Sequence, residues 1–306
     1  PRLTRAIVTV SMHKHLAVAL AVFALGRGED PEDVELLPPK PLNVMTFNVL
    51  CSVCNPSEYD PWDERLSYFA DIFQRHDPDL IGVQELTPLA GEVDSLLAAA
   101  PGHGALFFQQ EEWPPYPDAA IFYRKSRFRV LEQGEYWLSP TPDVPRSTGF
   151  AQPQLPRLVV WARLLDKAGD REMFFASTHF DNNAPSQALS APLVLERTAP
   201  FAAALPVVFV GDFNSRPNSE AYKTLSTDAS HGFVFQNAYD LAPNPGVIEN
   251  QDPDPVYDPA DRIDHVLVAG AGVSWSATSW AADLNVYGSK NRYPSDHFAI
   301  ATTLDR

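Results

Sequence analysis

A carboxylate and an amide stand two residues apart in the tetrapeptide GDFN, residues 211–214. They follow the apolar run 207–210, which predicts a strand buried on both faces. Because side chains alternate along an extended chain, Asp212 and Asn214 project from the same side at the carboxyl end of that strand. Asp can accept a proton or contact a metal, and Asn can donate to an oxyanion without adding negative charge. The pair suits attack by water on a phosphate, although the same residues after a strand also form loops and helix caps.

Four further polar clusters also follow apolar, strand-like stretches. A glutamate at the end of a buried strand costs free energy unless it is paired or coordinated, so Glu85 is either a metal ligand or the partner of a cation. A single histidine is usually structural, but His179 stands at a strand end as Asp212 does, which favours contact with a phosphate. Together with Asp212 and Asn214, the candidates are Asn48, Gln84, Glu85, His179, Asp264, Asp296 and His297.

For these polar clusters to form one site, the strands and helices that carry them must end near one another. The spacing of apolar residues predicts a helix over 62–76, and 186–205 predicts a helix that is interrupted or bent near Pro192 and Pro200. Apolar and β-branched runs predict strands at 43–49, 80–83, 119–123, 128–131, 136–138, 158–165, 172–178, 207–210, 262–268 and 298–304. The polar, proline-rich stretch 223–261 predicts solvated surface without regular structure.

The order and local contexts of the polar clusters resemble the endonuclease/exonuclease/phosphatase superfamily of metal-dependent enzymes. The matching motifs are TFN, QE, THF, GDFN, RID and SDH, and the resemblance covers residues 42–304. It implies an α/β (α+β) fold, a four-layer sandwich of two mixed β-sheets flanked by helices. In such a fold the site lies where the strand ends converge.

The resemblance also implies a metal site built by Asn48, Glu85 and Asp296. Glu85 is the principal ligand, Asn48 helps to hold the metal or the scissile phosphate, and Asp296 lies near the metal. Oxygen ligands of this kind suit Mg²⁺, with Mn²⁺ as a substitute. The cation acts as a Lewis acid that offsets negative charge. The motifs leave open whether one or two ions take part.

Five more residues have catalytic roles by the same resemblance. His179 contacts the phosphate, and Asn214 binds its oxygens. Asp212 orients or deprotonates the attacking water, Asp264 orients a histidine, and His297 stands at the phosphate. A buried Asp264 paired with His297 would fix the histidine's tautomer and raise its pKa, so that the imidazolium stabilises the phosphate. The motifs leave open whether Asp212 or His297 is the general base.

Two residues are expected to bind the substrate. Arg157 is one of four cations, with Arg146, Lys290 and Arg292, that could hold a phosphate-bearing substrate, although surface cations more often have no specific role. Asn182 is the second, at the place after the THFD segment where many relatives have another histidine. That departure from the family pattern puts a substrate role for Asn182 in doubt.

The composition restricts the substrate. With 23 Lys and Arg against 39 Asp and Glu, the formal charge is −16, so the overall field disfavours tight, unspecific binding to long nucleic acid. A bound divalent cation inverts the local sign of an acidic pocket, so phosphoester chemistry is still allowed. We therefore expect a Mg²⁺-dependent phosphodiesterase or phosphatase that acts on small or lipid-borne phosphates.

Three alternatives stay open. A secreted nuclease requires a local basic groove, and a sphingomyelinase-like lipid phosphodiesterase requires an exposed apolar patch, for which residues 113–116 are a candidate. A non-catalytic binding protein of this fold commonly loses catalytic positions, and all the expected polar residues are present here. We expect no stable protein partner and a monomeric chain.

The N-terminal segment predicts export. The apolar run 16–26 follows the residues His13, Lys14 and His15 and ends in small residues, as a secretory signal peptide does. It is too short to span a bilayer comfortably, and a buried apolar helix is the alternative. We expect an N-terminal extension at 1–41, a single domain at 42–306, and a secreted or periplasmic protein.

Cys51 and Cys54 are the two cysteines of the sequence. Their spacing occurs in redox and zinc sites, but no second Cys or His pair accompanies it. In an exported protein a local disulfide is plausible, and a pair of unbonded, partly buried thiols is the alternative.

Overall fold

The computed structural model describes residues 36–54, 57–109, 118–150, 156–251 and 256–306. Its strands are β1 (Leu42–Asn48), β2 (Leu80–Leu86), β3 (His103–Phe107), β4 (Asp118–Arg124), β5 (Phe128–Trp137), β6 (Leu158–Asp166), β7 (Arg171–His179), β8 (Val207–Asp212), β9 (Gln236–Asn237), β10 (Gly246–Ile248), β11 (Asp264–Ala269), β12 (Ser276–Asp283) and β13 (Ala299–Asp305). Its α-helices are α1 (Trp62–His76), α2 (Glu92–Ala99), α3 (Ala184–Ala202), α4 (Glu220–Thr227) and α5 (Ala238–Leu241). The predicted signal peptide and residues 113–116 lie outside the described residues.

The strands form two mixed sheets. The first sheet has seven strands in the order β10-β12-β13-β1-β2-β4-β3, and the second has six in the order β5-β6-β7-β8-β11-β9. In the first sheet β1 and β2 run parallel between antiparallel neighbours, and in the second sheet β7 and β8 do the same. The predicted fold of two mixed sheets flanked by helices is confirmed.

Side chains from both sheets fill the interior between them. Val44 of the first sheet and Phe175 and Val208 of the second belong to one buried apolar cluster. The sheets approach so closely that a Cβ at Gly82 would lie 2.2 Å from Cγ2 of Val210, so glycine is required there. Each buried aliphatic or Phe side chain contributes about 1.5–3 kcal/mol. This shared core holds the ends of the two sheets in a fixed relation.

Helices cover the outer faces of the sheets. Phe47 and Ile81 of the first sheet share a buried cluster with Phe69 of α1, and the rings of Phe47 and Phe69 lie 5.7 Å apart. Phe209 of the second sheet shares another with Val194 of α3. Central strands are therefore apolar on both sides, which explains their uninterrupted apolar sequences.

The structure corrects the prediction for β5. The sequence predicts separate strands at 128–131 and 136–138, but a single strand runs from Phe128 to Trp137. It stays paired with β6 throughout, with a shift of register between Val130 and Glu132. A bulge at this shift accommodates the polar residues that interrupt the apolar pattern.

The structure also corrects the prediction for α3. The helix continues through Pro192 and Pro200, where the sequence predicts a bend or break. Each proline removes one backbone donor, but the buried face that includes Ala191 and Leu195 packs against the second sheet and holds the helix together. No helix within the described ranges is long and apolar enough to cross a membrane.

The stretch 223–261 is more regular than predicted. It contains the end of α4, followed by β9, α5, β10 and a short 3-10 turn at Pro259–Asp261. These elements are too short to show a period, and β9 and β10 are held by pairing with β11 and β12. The elements α2, β3 and β12 were likewise not predicted.

Candidate active site

The ends of five strands meet at one edge of the two sheets. In the first sheet Asn48 at the end of β1 is aligned with Gln84 of β2. In the second sheet Asp212 at the end of β8 is aligned with His179 of β7 on one side and Asp264 of β11 on the other. The common core fixes these ends opposite each other, so residues far apart in the sequence face one another.

Asn48 connects the two sheets. Its Nδ2 donates to Oε1 of Glu85 and to Oδ2 of Asp212, both at 3.1 Å. The backbone N–H of Leu50 donates to Asn48 Oδ1 at 3.1 Å, which fixes the orientation of the amide. The side chain is fully buried. Asn48 thus links Glu85, the predicted principal metal ligand, to Asp212, the predicted catalytic carboxylate.

Glu85 adopts a left-handed backbone conformation, with φ of 60°. The pairing of β2 with β4 shifts register between Val83 and Leu86, which marks a bulge around this residue. A positive φ costs a non-glycine residue about 1–2 kcal/mol. The bulge turns the half-buried Glu85 out of the alternation of its strand, and its carboxylate meets Asn48.

Asp212 is the centre of the site and is only 1% exposed. Its Oδ2 lies 3.2 Å from Nε2 of His179 and 3.6 Å from Nε2 of His297. Its Oδ1 accepts a hydrogen bond of 2.8 Å from the backbone N–H of Asn214. Burial raises the pKa of this carboxyl, but the two histidines and the Asn214 N–H outweigh burial, so the pKa lies well below its usual range. Asp212 is therefore ionised.

Asn214 also has a left-handed backbone, with φ of 47°. Asparagine tolerates this conformation better than most residues. Its Nδ2 donates to the carbonyl of Phe180 at 3.0 Å, which links the loops that follow β7 and β8. The predicted phosphate-binding amide thus lies beside Asp212, within a rigid turn.

His297 is paired with a second buried carboxylate. Its Nδ1 donates to Oδ2 of Asp264 at 2.8 Å, which directs Nε2 toward Asp212. Burial lowers the pKa of His297, but Asp264 and Asp212 outweigh burial and raise it well above its ordinary value. Burial raises the pKa of Asp264 to about 6. The pair that the sequence predicts is present, with His297 as the cation.

His179 has the opposite environment. Its Nδ1 accepts a hydrogen bond of 2.8 Å from Nη1 of Arg157, so its Nε2 carries the proton that points to Asp212. Burial lowers the pKa of His179, and the Arg157 charge lowers it further. His179 is therefore neutral. Arg157, a predicted substrate-binding residue, contacts the predicted catalytic residue His179 directly, and its buried Nε has no hydrogen-bond partner.

Asp296 is exposed and is linked to the site through Ser295. The Ser295 hydroxyl lies 2.7 Å from the carbonyl oxygen of Asn48 and 3.2 Å from Oδ1 of Asp296. It also accepts a 3.2 Å hydrogen bond from the backbone N–H of His297. Ser295 was not predicted as a site residue, although it begins the SDH motif.

Two further residues that the sequence did not reveal support the loops around the site. Arg65 of α1 is 3% exposed and donates to four backbone carbonyls, those of Val49, Leu50, Asp60 and Pro294. Glu92 of α2 accepts hydrogen bonds of 2.7 Å from the backbone N–H groups of Ser52 and Thr87. Each residue joins a nearby segment to a distant one, as Arg65 does with Pro294 and Glu92 with Ser52, and the local sequence carries no signal for those contacts.

Cys51 and Cys54 form a disulfide, which resolves the alternative left by the sequence. Their sulfur atoms and a carboxylate oxygen of Glu85 all lie within 4.8 Å of one another. The disulfide therefore borders the predicted metal site and closes the loop that follows β1.

The remaining predicted cations and amides lie apart from this cluster. Asn182 is exposed in the loop between β7 and α3. Lys290 is exposed, and Arg292 pairs with Asp60 at 3.2 Å. Arg146 lies in the loop between β5 and β6 with a φ of 62°. Of the predicted substrate-binding residues, the structure brings Arg157 to the centre of the site. It does not show Asn182, Lys290, Arg292 or Arg146 there.

A group of potential ligand atoms also lies at the centre of the site, but His297 cannot ligate a metal ion while it is protonated. One ligand atom each from Asp212, Asp264 and His297 falls within 4.8 Å of the others. This group overlaps the predicted catalytic residues, whereas the predicted metal residues Asn48 and Glu85 lie next to it. Both groups offer the oxygen donors that divalent cations of the Mg²⁺ type accept.

The sequence profile of the Endonuclease/Exonuclease/phosphatase family matches residues 45–297, which include every residue of the cluster described above. The chain belongs to this family. Members of the endonuclease/exonuclease/phosphatase family are metal-dependent phosphoester hydrolases, so this cluster is the candidate active site of a phosphoester hydrolase.

Known members of the family are similar along most of the chain. Nocturnin of Rattus norvegicus is 24% identical over 225 residues, 66% of this chain and 49% of the relative, so the chain spans about half the length of that curated protein. A family protein from Bacteroides thetaiotaomicron has a structure with a TM-score of 0.74 and 28% identity, covering 87% of this chain and 95% of the other. A mannosyl-6-phosphatase from the same species has a TM-score of 0.74 and 26% identity, covering 87% and 100%.

Proposed function

We propose that this chain is a Mg²⁺-dependent hydrolase of small phosphate esters, in which a metal-activated water attacks phosphorus. The observation that carries the proposal is the arrangement around Asp212. This buried, ionised carboxylate lies between a neutral His179 and a protonated His297, and Asn48 connects it to Glu85. Such a cluster provides a proton acceptor, a cation and a metal-ligand set in one place.

Glu85, Asn48 and Asp296 would hold the cation. The fit rests on the carboxylate oxygens of Glu85 and Asp296, which Mg²⁺ accepts, while Asn48 orients the Glu85 carboxylate through its Nδ2. The strained backbone at Glu85 supports this role, since a left-handed glutamate is retained where it aims a functional group. When bound, the cation supplies Lewis-acid neutralisation of phosphate charge and a more acidic water.

Asp212 is the better candidate for the group that receives the water's proton. His297 is already protonated in the resting site, because Asp264 and Asp212 raise its pKa. It cannot then accept a proton, but its imidazolium can stabilise charge on the phosphoryl oxygens. Asp264 fixes the tautomer of His297, and Asn48 and Asn214 hold Asp212 in place.

The comparisons favour a small phosphate ester over a nucleic acid. The mannosyl-6-phosphatase is 26% identical and matches this chain over the phosphatase's full length, and its name states that it acts on a sugar phosphate. The structure of TDP2 from D. rerio with a single-stranded DNA product is 17% identical, which supports the fold alone. Nuclease and sphingomyelinase-like activities are therefore outcomes of the test below.

We also propose that the protein is exported to the periplasm or the exterior. The apolar run 16–26 after basic residues supports a signal peptide. The disulfide between Cys51 and Cys54 supports an oxidising compartment, where such bonds persist. Fractionation of cells that express the full chain, with mass spectrometry of its N-terminus, tests this: an unprocessed protein confined to the cytoplasm contradicts it.

The test of the function is a substrate panel with the purified chain. It comprises p-nitrophenyl phosphate, bis-p-nitrophenyl phosphate, hexose 6-phosphates, plasmid DNA, RNA and sphingomyelin, each with EDTA, with Mg²⁺ and with Mn²⁺. We expect EDTA-sensitive hydrolysis that Mg²⁺ restores, with the highest kcat/KM on a small phosphate ester. Hydrolysis that persists in EDTA, or the absence of hydrolysis with every substrate, would contradict the proposal.

A further inference from the structure

A cavity of about 330 Å³ opens beside the candidate active site. Asp264, Asp296 and His297 line its inner end, and Tyr257 and Phe298 line its sides. Its volume falls in the range of pockets that hold small molecules. It lies on the His297 side of Asp212, where the part of the substrate that leaves the phosphorus can be accommodated.

The walls of the cavity are aromatic and rigid. The rings of Tyr257 and Phe298 lie 6.0 Å apart in an edge arrangement, and Tyr257 also lies 6.2 Å from the ring of Trp280. Val256, at 81% exposure, is a large apolar side chain in contact with solvent at the rim. Aromatic walls of this kind suit the flat face of a ring that carries few charges.

Three residues of the wall carry a buried polar atom without a hydrogen-bond partner: Oη of Tyr257, Nε of Arg262 and Oδ1 of Asp264. A buried polar atom without a partner costs free energy, so such atoms are rare in native proteins. These atoms are buried behind the cavity surface, so they add polar character to the wall without being open to solvent. Hydroxyl groups are suited to it because a hydroxyl both donates and accepts.

The charges around the cavity disfavour an anionic ligand. Asp258, Asp261 and Asp296 are exposed carboxylates of its lining. The one arginine of the lining, Arg262, uses Nη1 to donate to the Pro259 carbonyl at 2.7 Å and stacks its guanidinium 4.1 Å from the ring centre of Tyr239. Its charge is thus engaged within the protein, while the carboxylates can accept hydrogen bonds from hydroxyl groups.

We propose that this cavity binds the alcohol part of the substrate, and that this part is an uncharged, polyhydroxylated ring such as a sugar. The proposal rests on the proposed function, because it takes the cluster around Asp212 to be where the phosphate is hydrolysed. The aromatic walls suit the face of such a ring, and the surrounding carboxylates favour hydroxyl groups over an anionic nucleotide or a lipid chain.

The test compares phosphate esters with and without a sugar ring in the wild type and in two variants. Methyl phosphate has the scissile bond without a ring, and mannose 6-phosphate and glucose 6-phosphate add the ring. We expect wild-type kcat/KM to be at least 50-fold higher for a hexose 6-phosphate than for methyl phosphate. Tyr257→Phe should reduce this ratio about fivefold, and Val256→Trp, which obstructs the rim, about tenfold.

Matched controls separate this effect from general damage. Tyr123→Phe removes a hydroxyl that lies over Gly104, on a residue aligned with Leu80 at the opposite end of β2 from Glu85, and Leu189→Trp enlarges an exposed side chain of α3. Both should keep the wild-type ratio within twofold. Equal kcat/KM for hexose 6-phosphates and methyl phosphate in the wild type, or an equal loss on both in Val256→Trp, would overturn the proposal.

Binding of methyl α-D-mannoside, measured by saturation-transfer NMR, distinguishes the cavity from the chemistry. We expect binding by the wild type that is lost in Val256→Trp and retained in Leu189→Trp. Sugar binding of this pattern in a protein that hydrolyses no phosphate ester would refute the proposed function and support the sugar subsite. Hydrolysis of methyl phosphate by a protein that binds no mannoside would do the reverse.

Discussion

His179 and His297 both face the same carboxylate oxygen, yet their surroundings leave His179 neutral and make His297 a cation. Both present Nε2 to Oδ2 of Asp212, at 3.2 Å and 3.6 Å. Behind His179 stands the Arg157 guanidinium, and behind His297 stands the Asp264 carboxylate. Burial lowers the pKa of both rings, and the charge behind each ring decides the outcome. The role of a histidine in this site is therefore set by its partner at Nδ1.

The largest expected effect comes from removing the charge that both histidines face. Asp212→Asn keeps the size of the side chain but removes the proton acceptor, so we expect kcat to fall by about 10³–10⁴-fold. The measurement is steady-state hydrolysis of p-nitrophenyl phosphate with saturating Mg²⁺. Asp143→Asn is the control, since that aspartate is 75% exposed on its side chain and pairs with Arg197 at the surface. A loss of less than tenfold in Asp212→Asn would exclude the role assigned to Asp212.

The second-largest effect is expected from removing the negative charge of Asp264, the partner of His297. Asp264→Asn keeps an acceptor for Nδ1 but removes its charge, so the pKa of His297 should fall and its cation should be lost at neutral pH. We expect kcat/KM to fall by about 10²–10³-fold with the fold intact. Circular dichroism checks the fold, and Asp143→Asn again serves as control. A variant that keeps full activity would show that the charge of Asp264 has no part in catalysis.

A smaller effect is expected from the partner of His179. Arg157→Gln removes the cation that lowers the pKa of His179, so that pKa should rise, and kcat/KM should fall by about 10–100-fold, or about 1.5–3 kcal/mol. Arg163→Gln on the same strand is the control, because Arg163 pairs with Glu132 and Glu172 at the surface. Equal losses in the two variants would attribute the effect to the strand and not to His179.

A third histidine tests the contribution of burial without a charged partner at the ring nitrogens. His265 accepts at Nδ1 from Asn237 and donates at Nε2 to the Ser215 carbonyl, and burial lowers its pKa from 6.5 to about 4. Between these pH values the unfolded chain binds a proton at His265 that the folded chain does not. The free energy of unfolding should therefore fall as the pH drops from 6.5 to 4, by about 3 kcal/mol from this residue.

His265→Gln checks this stability effect, because glutamine keeps a donor near Ser215 but does not titrate. Urea unfolding at pH 7 and pH 4.5 gives the difference in free energy for each protein. We expect the difference to be about 2–3 kcal/mol smaller in the variant than in the wild type. Equal differences would mean that another group is responsible for the pH dependence.

The sequence predicts the strands that carry the site residues better than it predicts the contacts between those residues. Central strands such as β1 and β8 are buried on both faces, so their apolar runs mark both the strand and the place where polar residues begin. The structure places Asn48 and Asp212 at those strand ends, as predicted. The short elements between residues 223 and 261 have no such signal, because pairing with β11 and β12 determines them.

Within the site, the pairing of His297 with Asp264 followed from the family resemblance, but the pairing of His179 with Arg157 did not. Arg157 immediately precedes β6 and His179 ends β7, and only the register of these two strands brings them together. The same limit applies to Arg65, whose partners come from three separate segments. Long-range pairing of polar atoms leaves no periodic trace in a sequence.

The most direct test of the opposed histidines is the protonation state of their rings. Long-range ¹H–¹⁵N correlation spectra of the metal-free protein at pH 7, assigned with His179→Gln and His297→Gln, report the two nitrogens of each ring. We predict that His297 shows two protonated nitrogens and that His179 shows a proton on Nε2 alone. A neutral His297 beside a protonated His179 would contradict the account of this site.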